Sequence, residues 1–188
     1  MANKISYGLS SLYYAVATIA SDGTATFGTP KPIPGAVEIS LDKEGDTYTK
    51  YADNIKYFVS AVNNGYSGSF TVTTLPESFY TDCLGYIKDQ NDALVEDADA
   101  TSGHFALLFK FQGDNSDTDF VLYNCVAERP SIASSTKEDA IEAQDLAVNI
   151  TVGTIFDSET NTNIVKASAT GVNDWYTTVY KPEVTEEP

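Results

Sequence analysis

The chain has 188 residues, which is enough for a substantial core and small enough for one domain. Eleven Lys and Arg residues against twenty-seven Asp and Glu residues give a formal net charge of −16, which excludes a general basic surface for nucleic acid. No apolar run of about 18 residues is present to span a membrane, and the N-terminus lacks the apolar core of a secretory signal. We therefore expect a protein made in the cytoplasm, with no membrane association. The acidic charge has two interpretations, simple solubility or repulsion of DNA or another anion.

The first forty residues read as β structure. Residues 12–20 are rich in Tyr, Val and Ile, and a turn at Asp22-Gly23 leads into residues 24–27, which predicts a hairpin. Three prolines in residues 29–35 remove backbone donors, so this segment is a connector or an edge. Residues 36–41 alternate again, and place Val37, Ile39 and Leu41 on one face of a strand.

A polar segment interrupts this pattern. Residues 42–54 carry six charges and almost no aliphatic side chain, yet keep two tyrosines. This composition is typical of a long projecting loop, and residues 55–62 then resume as a strand. Such a segment is either an arm that reaches beyond its own domain or a mobile surface loop. The residues that we single out as candidate contacts between subunits are Asp42, Lys43, Glu44, Asp46, Tyr48, Tyr51 and Asp53.

Residues 63–86 contain the clearest local signals in the chain. Asn64-Gly65 predicts a turn, and the alternation of Phe70 and Val72 with small polar residues predicts a half-buried strand. Pro76 suits the start of a helix and Gly85 its left-handed end. We therefore predict one short helix near residues 76–84, with Phe79, Tyr80, Cys83 and Leu84 covering the core.

The second half of the chain adds further strands. An acidic surface loop over residues 88–103 precedes a hairpin of two strong strands at 104–111 and 119–127. Residues 131–144 are ambiguous between a helix, with Thr136 and Asp139 as a capping box, and an edge strand. Further strands are predicted at 145–155 and 175–180, and residues 181–188 read as a flexible acidic tail. Eight or nine strands and one helix predict a mainly β fold, an antiparallel sandwich or barrel, for residues 1–180.

Catalytic and metal-binding signals are weak. The single histidine, His104, begins a strand without an accompanying nucleophile motif, and Cys83 and Cys125 are expected to be buried free thiols. Residues 114–119 lack the Gly and Glu of a calcium-binding EF-hand loop, and more Cys and His would be needed for zinc. We therefore expect no enzyme activity, no metal and no cofactor.

Several blocks taken together resemble a known family. The blocks are GAVEISLDKEGDTYTKYADN (35–54), NNGYSGSFTVTTLPESFYTDCLGY (63–86), FALLFKFQGD (105–114) and VLYNCVAERPS (121–131), followed by TKED (136–139). Their order and spacing are similar to the major tail proteins of long-tailed, non-contractile bacteriophages, with the likeness reaching about Val152. Residues from Asn161 onward match less clearly.

The resemblance implies a structural tail-tube protein of the virion. Members of that family self-assemble into hexameric rings that stack into a hollow tube, through which DNA passes into the host without specific binding. The implied partners are other copies of the chain, the tape-measure protein, the tail terminator, and distal tail or baseplate proteins. By resemblance, residues 42–54 are the arm that bridges to the neighbouring ring.

Two other functions fit the same residues. One is a tube protein of a phage-derived secretion device, which is a variant of the first hypothesis. The other is a monomeric β-sandwich binding module, an adhesin or carbohydrate-binding domain, with exposed tyrosines as its binding platform.

Overall fold

Fifteen strands and one helix make up the part of the chain that a computed structural model describes, residues 7–113, 117–132 and 144–182. The first seven strands are β1 (Tyr7–Ile19), β2 (Ala25–Phe27), β3 (Lys31–Pro32), β4 (Ala36–Glu44), β5 (Thr47–Ala52), β6 (Ile55–Ala61) and β7 (Gly65–Val72). The helix α1 (Glu77–Cys83) follows, and then β8 (Ile87–Lys88), β9 (Leu94–Val95), β10 (His104–Gln112) and β11 (Thr118–Ala127). The last four are β12 (Leu146–Gly153), β13 (Ile155–Asp157), β14 (Thr162–Ile164) and β15 (Lys166–Thr170).

One large antiparallel sheet carries most of these strands. Its order is β2-β1-β10-β11-β12-β7-β4, with β3 paired to β1 and β15 paired to β11. The sheet curls, so that β4 at one end comes beside β1. Pairs β13-β14, β5-β6 and β8-β9 form separate two-stranded sheets. The prediction of a mainly antiparallel β fold with one short helix is confirmed.

The pair β10-β11 is the centre of the fold, because it is buried on both faces. Phe105 and Leu107 point into one apolar cluster, and Ala106 and Leu108 point into the other. This explains the run of consecutive apolar residues in β10, since a strand covered on both sides has no face to leave polar. The predicted hairpin of these two strands is confirmed, although residues 114–116 near its turn lie outside the described residues.

The helix closes the first cluster, as predicted. Pro76 stands at its N-cap in an extended conformation, and Gly85 follows it with φ +74°. Phe79 is fully buried, with edge-to-face contacts to the rings of Tyr14, Phe70 and Phe105 at 5.0 to 6.0 Å between centroids. This one side chain therefore ties the helix to strands β1, β7 and β10.

Polar groups fix the same helix to the edge of the sheet. The Tyr14 hydroxyl lies 2.8 Å from Ser78 Oγ and 3.0 Å from Asp82 Oδ2. Asp82 also accepts a hydrogen bond from Lys31 Nζ at 2.6 Å. Burial is the main cause that raises the pKa of Tyr14 far above its usual value, so the hydroxyl remains a donor at any physiological pH.

The second cluster lies on the opposite face of β1, β10 and β11, under the C-terminal part of the chain. Trp175 is buried there and its ring stacks on that of Tyr180, with 4.9 Å between centroids. Tyr176 donates a hydrogen bond to Asp119 at 2.6 Å. Residues 172–180 thus cover this face of the sheet.

Two strand assignments in the sequence analysis need correction. Residues 175–180 form turns, not a strand: Asp174 has φ +67°, and its carbonyl accepts from the N–H groups of Thr177 and Thr178. The aromatic and β-branched residues of this segment predicted a strand. In the structure, Trp175 and Tyr180 pack on the sheet instead. In β4, a bulge between Ala36 and Glu38 displaces Val37, which is 47% exposed, from the face that Ile39 and Leu41 share.

The remaining predictions from the sequence are either confirmed or concern residues outside the described ranges. The first hairpin, the edge at Lys31–Pro32 and the alternation of β12 are confirmed. The acidic segment 88–103 contains the short strands β8 and β9 within an exposed loop. The ambiguous residues 133–143, with Thr136 and Asp139, and residues 183–188 of the predicted tail are not among the described residues.

Replacing Phe79 by Ala should lower the free energy of unfolding by about 3–5 kcal/mol, because it removes a buried ring and leaves a cavity between helix and sheet. Phe58→Ala is the matched control, since Phe58 is 53% exposed and its loss should change stability by less than about 0.5 kcal/mol. Urea denaturation of the dilute protein measures both. Equal losses for the two variants would contradict this account of the core.

Candidate functional site

The prediction of a long projecting loop at residues 42–54 is wrong, because these residues fold as β structure. Strand β4 continues to Glu44, and β5 and β6 pair in an antiparallel hairpin. Asp53 and Asn54 close this hairpin with φ +51° and +61°, the two positive values of a type I′ turn. Two sequence signals pointed to this hairpin: the alternation in TYTKYA indicates a strand, and the Asp-Asn pair indicates a turn. The high charge content of the segment favoured a loop instead.

The hairpin is an outward continuation of β4 and β7. Beyond their last pair, Glu44 with Gly65, Asn64 N–H donates to Glu44 O at 3.0 Å and Val62 N–H donates to Asp46 O at 3.1 Å. The β5-β6 pairing then takes over at Thr47 and Ala61. The two-stranded ribbon therefore runs unbroken from the sheet to the turn. We call residues 45–64 the arm hairpin.

Gly45 marks the bend where the arm hairpin leaves the sheet. Its φ is +136°, and a Cβ at this position would lie 1.9 Å from the carbonyl oxygen of Val62. No L side chain fits at that distance. The bend thus depends on glycine for both its backbone conformation and the close approach of the two strands.

The arm hairpin is exposed along its length in the part of the chain that the structure describes. No residue from 42 to 64 is buried, although the segment contains seven large apolar side chains that are each more than half exposed. These are Tyr48, Tyr51, Ile55, Tyr57, Phe58, Val59 and Val62. An exposed apolar group of this size marks an interaction surface, and an isolated two-stranded hairpin is only marginally stable in water.

Apolar side chains occupy both faces of the arm hairpin. Tyr48 and Phe58 share one face, with 6.4 Å between ring centroids. Val59, opposite Thr49 in the register, lies on the other face together with Tyr51. A hairpin that is apolar on both faces is suited to insertion between two surfaces.

The charge of the arm hairpin differs from that of the whole protein. Residues 45–64 carry two acidic residues, Asp46 and Asp53, and two lysines, Lys50 and Lys56, so that the formal charge is zero. The rest of the chain therefore holds the full −16. A neutral hairpin can approach an acidic copy of the same chain without general repulsion.

The seven candidate contact residues divide between the strand and the hairpin. Asp42 and Glu44 lie on the outward face of β4, where Glu44 accepts a hydrogen bond from Ser67. Lys43 is opposite Tyr66 in the register and lies on the other face. Asp46, Tyr48, Tyr51 and Asp53 belong to the arm hairpin and are exposed. The apolar residues of β6 were missing from the candidate set, although the two-sided apolar pattern of residues 55–62 was visible in the sequence.

A second feature is the outward face of β4, β7 and β12. Across the three strands the register aligns Ser40 with Ser69 and Asn149, and it aligns Asp42 with Ser67 and Thr151. The outward positions of these strands bear small polar side chains and carboxylates, with no Lys or Arg among them. The carboxylates are Glu38, Asp42 and Glu44, and Glu128 joins them through a 2.9 Å hydrogen bond from Asn149. We call this surface the acidic face.

Groups with catalytic potential are not assembled into a site among the described residues. His104 is exposed and its Nδ1 lies 2.7 Å from Asn124 Oδ1. Cys83 and Cys125 are buried free thiols, as predicted, and burial raises the pKa of both. Within the described ranges no three His, Cys, Asp or Glu side chains are grouped to hold a metal.

No helix in the described part of the chain has the length and apolarity needed to cross a membrane.

Comparison with known proteins gives the family. The model of the phage tail tube protein family matches residues 2–167, which is most of the chain. The chain therefore belongs to the phage tail tube protein family, and the resemblance seen in the sequence is confirmed. A search of curated proteins returned no match. Family membership makes the protein a structural component of a bacteriophage tail and implies a role without catalysis.

Gly45→Ala should open the base of the arm hairpin without unfolding the body. The added Cβ collides with Val62 O, so amide hydrogen exchange at Val62 and Asn64 should accelerate about tenfold or more. Amides of β10 should keep their protection. Gly28→Ala is the control, because a Cβ there meets its nearest atom at an ordinary 3.7 Å. Unchanged exchange at Val62 in Gly45→Ala would contradict the assigned bend.

Proposed function

We propose that this protein self-assembles into hexameric rings that stack into the tail tube, and that the tube conducts DNA into the host. The observation that carries the proposal is the arm hairpin, a neutral ribbon with exposed apolar side chains on both faces. A second copy of the chain is its partner. The tape-measure protein inside the tube, and the tail terminator and the distal tail or baseplate proteins at its ends, are further proposed partners in the virion tail.

The dimensions of the arm hairpin support contact between rings. Its strands extend about 30 Å from Glu44 to the turn, at about 3.3 Å per residue. A projection of this length reaches well past the surface of its own domain. Ring closure and stacking repeat one heterologous interface, so the subunit requires complementary surfaces and no chemistry.

The open edge of β4 supports ring formation. Among the described strands, β4 is hydrogen-bonded to β7 on one side only. An unpaired edge of nine residues is a template for strand pairing with another chain. In the proposed ring, the edge of β4 is satisfied by the neighbouring subunit.

The acidic face supports the role of a DNA conduit. The carboxylates of this face, without a Lys or Arg among them, repel the phosphate backbone. In the proposed tube this face lines the lumen, so DNA passes without adhering to the wall. The acidic residues outside the acidic face need no explanation beyond solubility.

The monomeric binding module is the weaker hypothesis. A carbohydrate platform would present its aromatic rings together on one face. Tyr48 and Tyr51 instead lie on opposite faces of the arm hairpin, an arrangement that favours insertion between protein surfaces.

Shortening the arm hairpin should abolish tubes and leave the subunit folded. Replacing residues 49–59 by Asn-Gly closes a two-residue turn on the existing Tyr48-Ser60 pair. Because none of the removed residues is buried, the midpoint of denaturation should stay within experimental error. Negative-stain electron microscopy of the concentrated protein should show tubes or rings for the wild type alone. Normal tubes from the shortened protein would contradict the role of the arm.

Adding positive charge to the acidic face should make tubes retain DNA. The double variant Glu38→Lys and Asp42→Lys should assemble, and should sediment with short duplex DNA at low salt but much less at 200 mM salt. Asp92→Lys with Glu159→Lys adds the same charge at exposed positions outside the acidic face. If the control variant alone retained DNA, or if neither variant did, the acidic face would not be the wall of the lumen.

A further inference from the structure

An apolar cleft opens where the first core cluster reaches the surface. Its volume is about 260 Å³, and its floor is formed by Phe109, Phe111 and Phe120, whose ring centroids lie 5.4 to 5.5 Å apart. Ile39 and Leu41 of β4 form the opposite wall. Apolar cavities of about 150 Å³ accommodate a benzene ring, so this cleft has room for a large apolar side chain.

The topology explains why the cleft is open. Strand β12 ends at Gly153, and β15 takes its place beside the first half of β11. The arm hairpin bends away at Gly45 instead of continuing over the core. Phe111, Phe120, Ile39 and Leu41 are consequently only partly buried.

A positive charge stands at the cleft, although the protein as a whole is acidic. Lys166 lines the cleft, with its Nζ 5.2 Å from the centre of the Tyr66 ring. Lys43 lies opposite Tyr66 in the strand register. A ligand for this cleft should therefore combine an apolar group with a negative charge.

The tip of the arm hairpin has this combination. Ile55 is 61% exposed beside the turn, and Asp53 is the first residue of the turn itself. Both lie at the far end of the ribbon, in or beside its two-residue turn. Most of the Ile55 side chain is exposed, so the tip is available to a second molecule.

We propose that the cleft is the receptor for the arm hairpin of a second copy of this chain. Ile55 inserts against the phenylalanine floor, and the Asp53 carboxylate faces Lys166 at the rim. This pairing rests on the proposed function, because it specifies the contact by which successive subunits are joined. Burying Ile55 supplies affinity, and the charge pair sets the orientation.

Charge reversal on the two sides tests the pairing. Asp53→Lys and Lys166→Glu should each raise the protein concentration required for tubes about tenfold, because each places like charges together. The double variant should return to the wild-type value. Asp92→Lys and Lys88→Glu are the controls, since Asp92 also stands in an exposed positive-φ turn and Lys88 also bears an exposed charge; both should assemble as the wild type. Single variants with normal assembly, or a double variant without rescue, would overturn the pairing.

Cross-linking tests the same contact without requiring tubes. Asp53→Cys chains carrying a size tag, mixed with untagged Lys166→Cys chains under mild oxidation, should give the tagged-untagged dimer. Asp92→Cys chains mixed with Lys166→Cys chains should give several-fold less. The native thiols should not interfere, since Cys83 and Cys125 are buried.

The two experiments separate the proposals. The specific cross-link without tubes or rings would support the pairing and count against the proposed function. Tubes from the wild type with no specific cross-link would support the proposed function and overturn the pairing.

Deletion of residues 2–6 serves as a test for a different occupant: loss of tubes on that deletion, with normal tubes from Ile55→Ser, would assign the cleft to the N-terminus and overturn the pairing.

Discussion

The hydrogen-bonded ladder between β4 and β7 continues past the edge of the sheet, and no residue of the ribbon that results is buried. Val62 and Asn64 extend the ladder to Asp46 and Glu44, so the ribbon is held at its base by backbone contacts. Its apolar side chains nevertheless remain in water. Their burial against another molecule would be favourable by about 25 cal/mol per Å². The proposed assembly answers this constraint more directly than any single polar contact could.

The body of the protein is built so that it does not depend on that partner. Phe79 and the strands around it close one cluster, and Trp175 with the C-terminal turns closes the other. The double coverage of β10 and β11 gives the subunit a core of its own. A folded subunit with an uncovered extension is the arrangement expected of a component that must remain soluble before it joins a repeating structure.

Sequence reasoning succeeded where the deciding interactions are local. Pro76, the apolar spacing of Phe79 and Cys83, and Gly85 are sufficient to define the helix, and the alternation in β7 and β12 defines their buried faces. It failed at residues 175–180, because the packing of Trp175 on a distant sheet overrides strand propensity. It also failed at residues 42–54, where charge suggested a loop although Asp53-Asn54 is a good hairpin turn. The sequence could not predict the cleft, because Ile39 and Phe120 meet only through the curl of the whole sheet.

Hydrogen–deuterium exchange followed by mass spectrometry tests the central claim most directly, by comparing residues 47–61, beyond the hydrogen bonds at the base of the arm, in the dilute subunit and in assembled tubes. The account predicts that these amides exchange rapidly in the dilute subunit and become protected on assembly. Exposed amides of the β8-β9 hairpin serve as an internal reference for the change. Exchange of the arm hairpin that is equally fast in both states would contradict the claim that a second copy of the chain buries it.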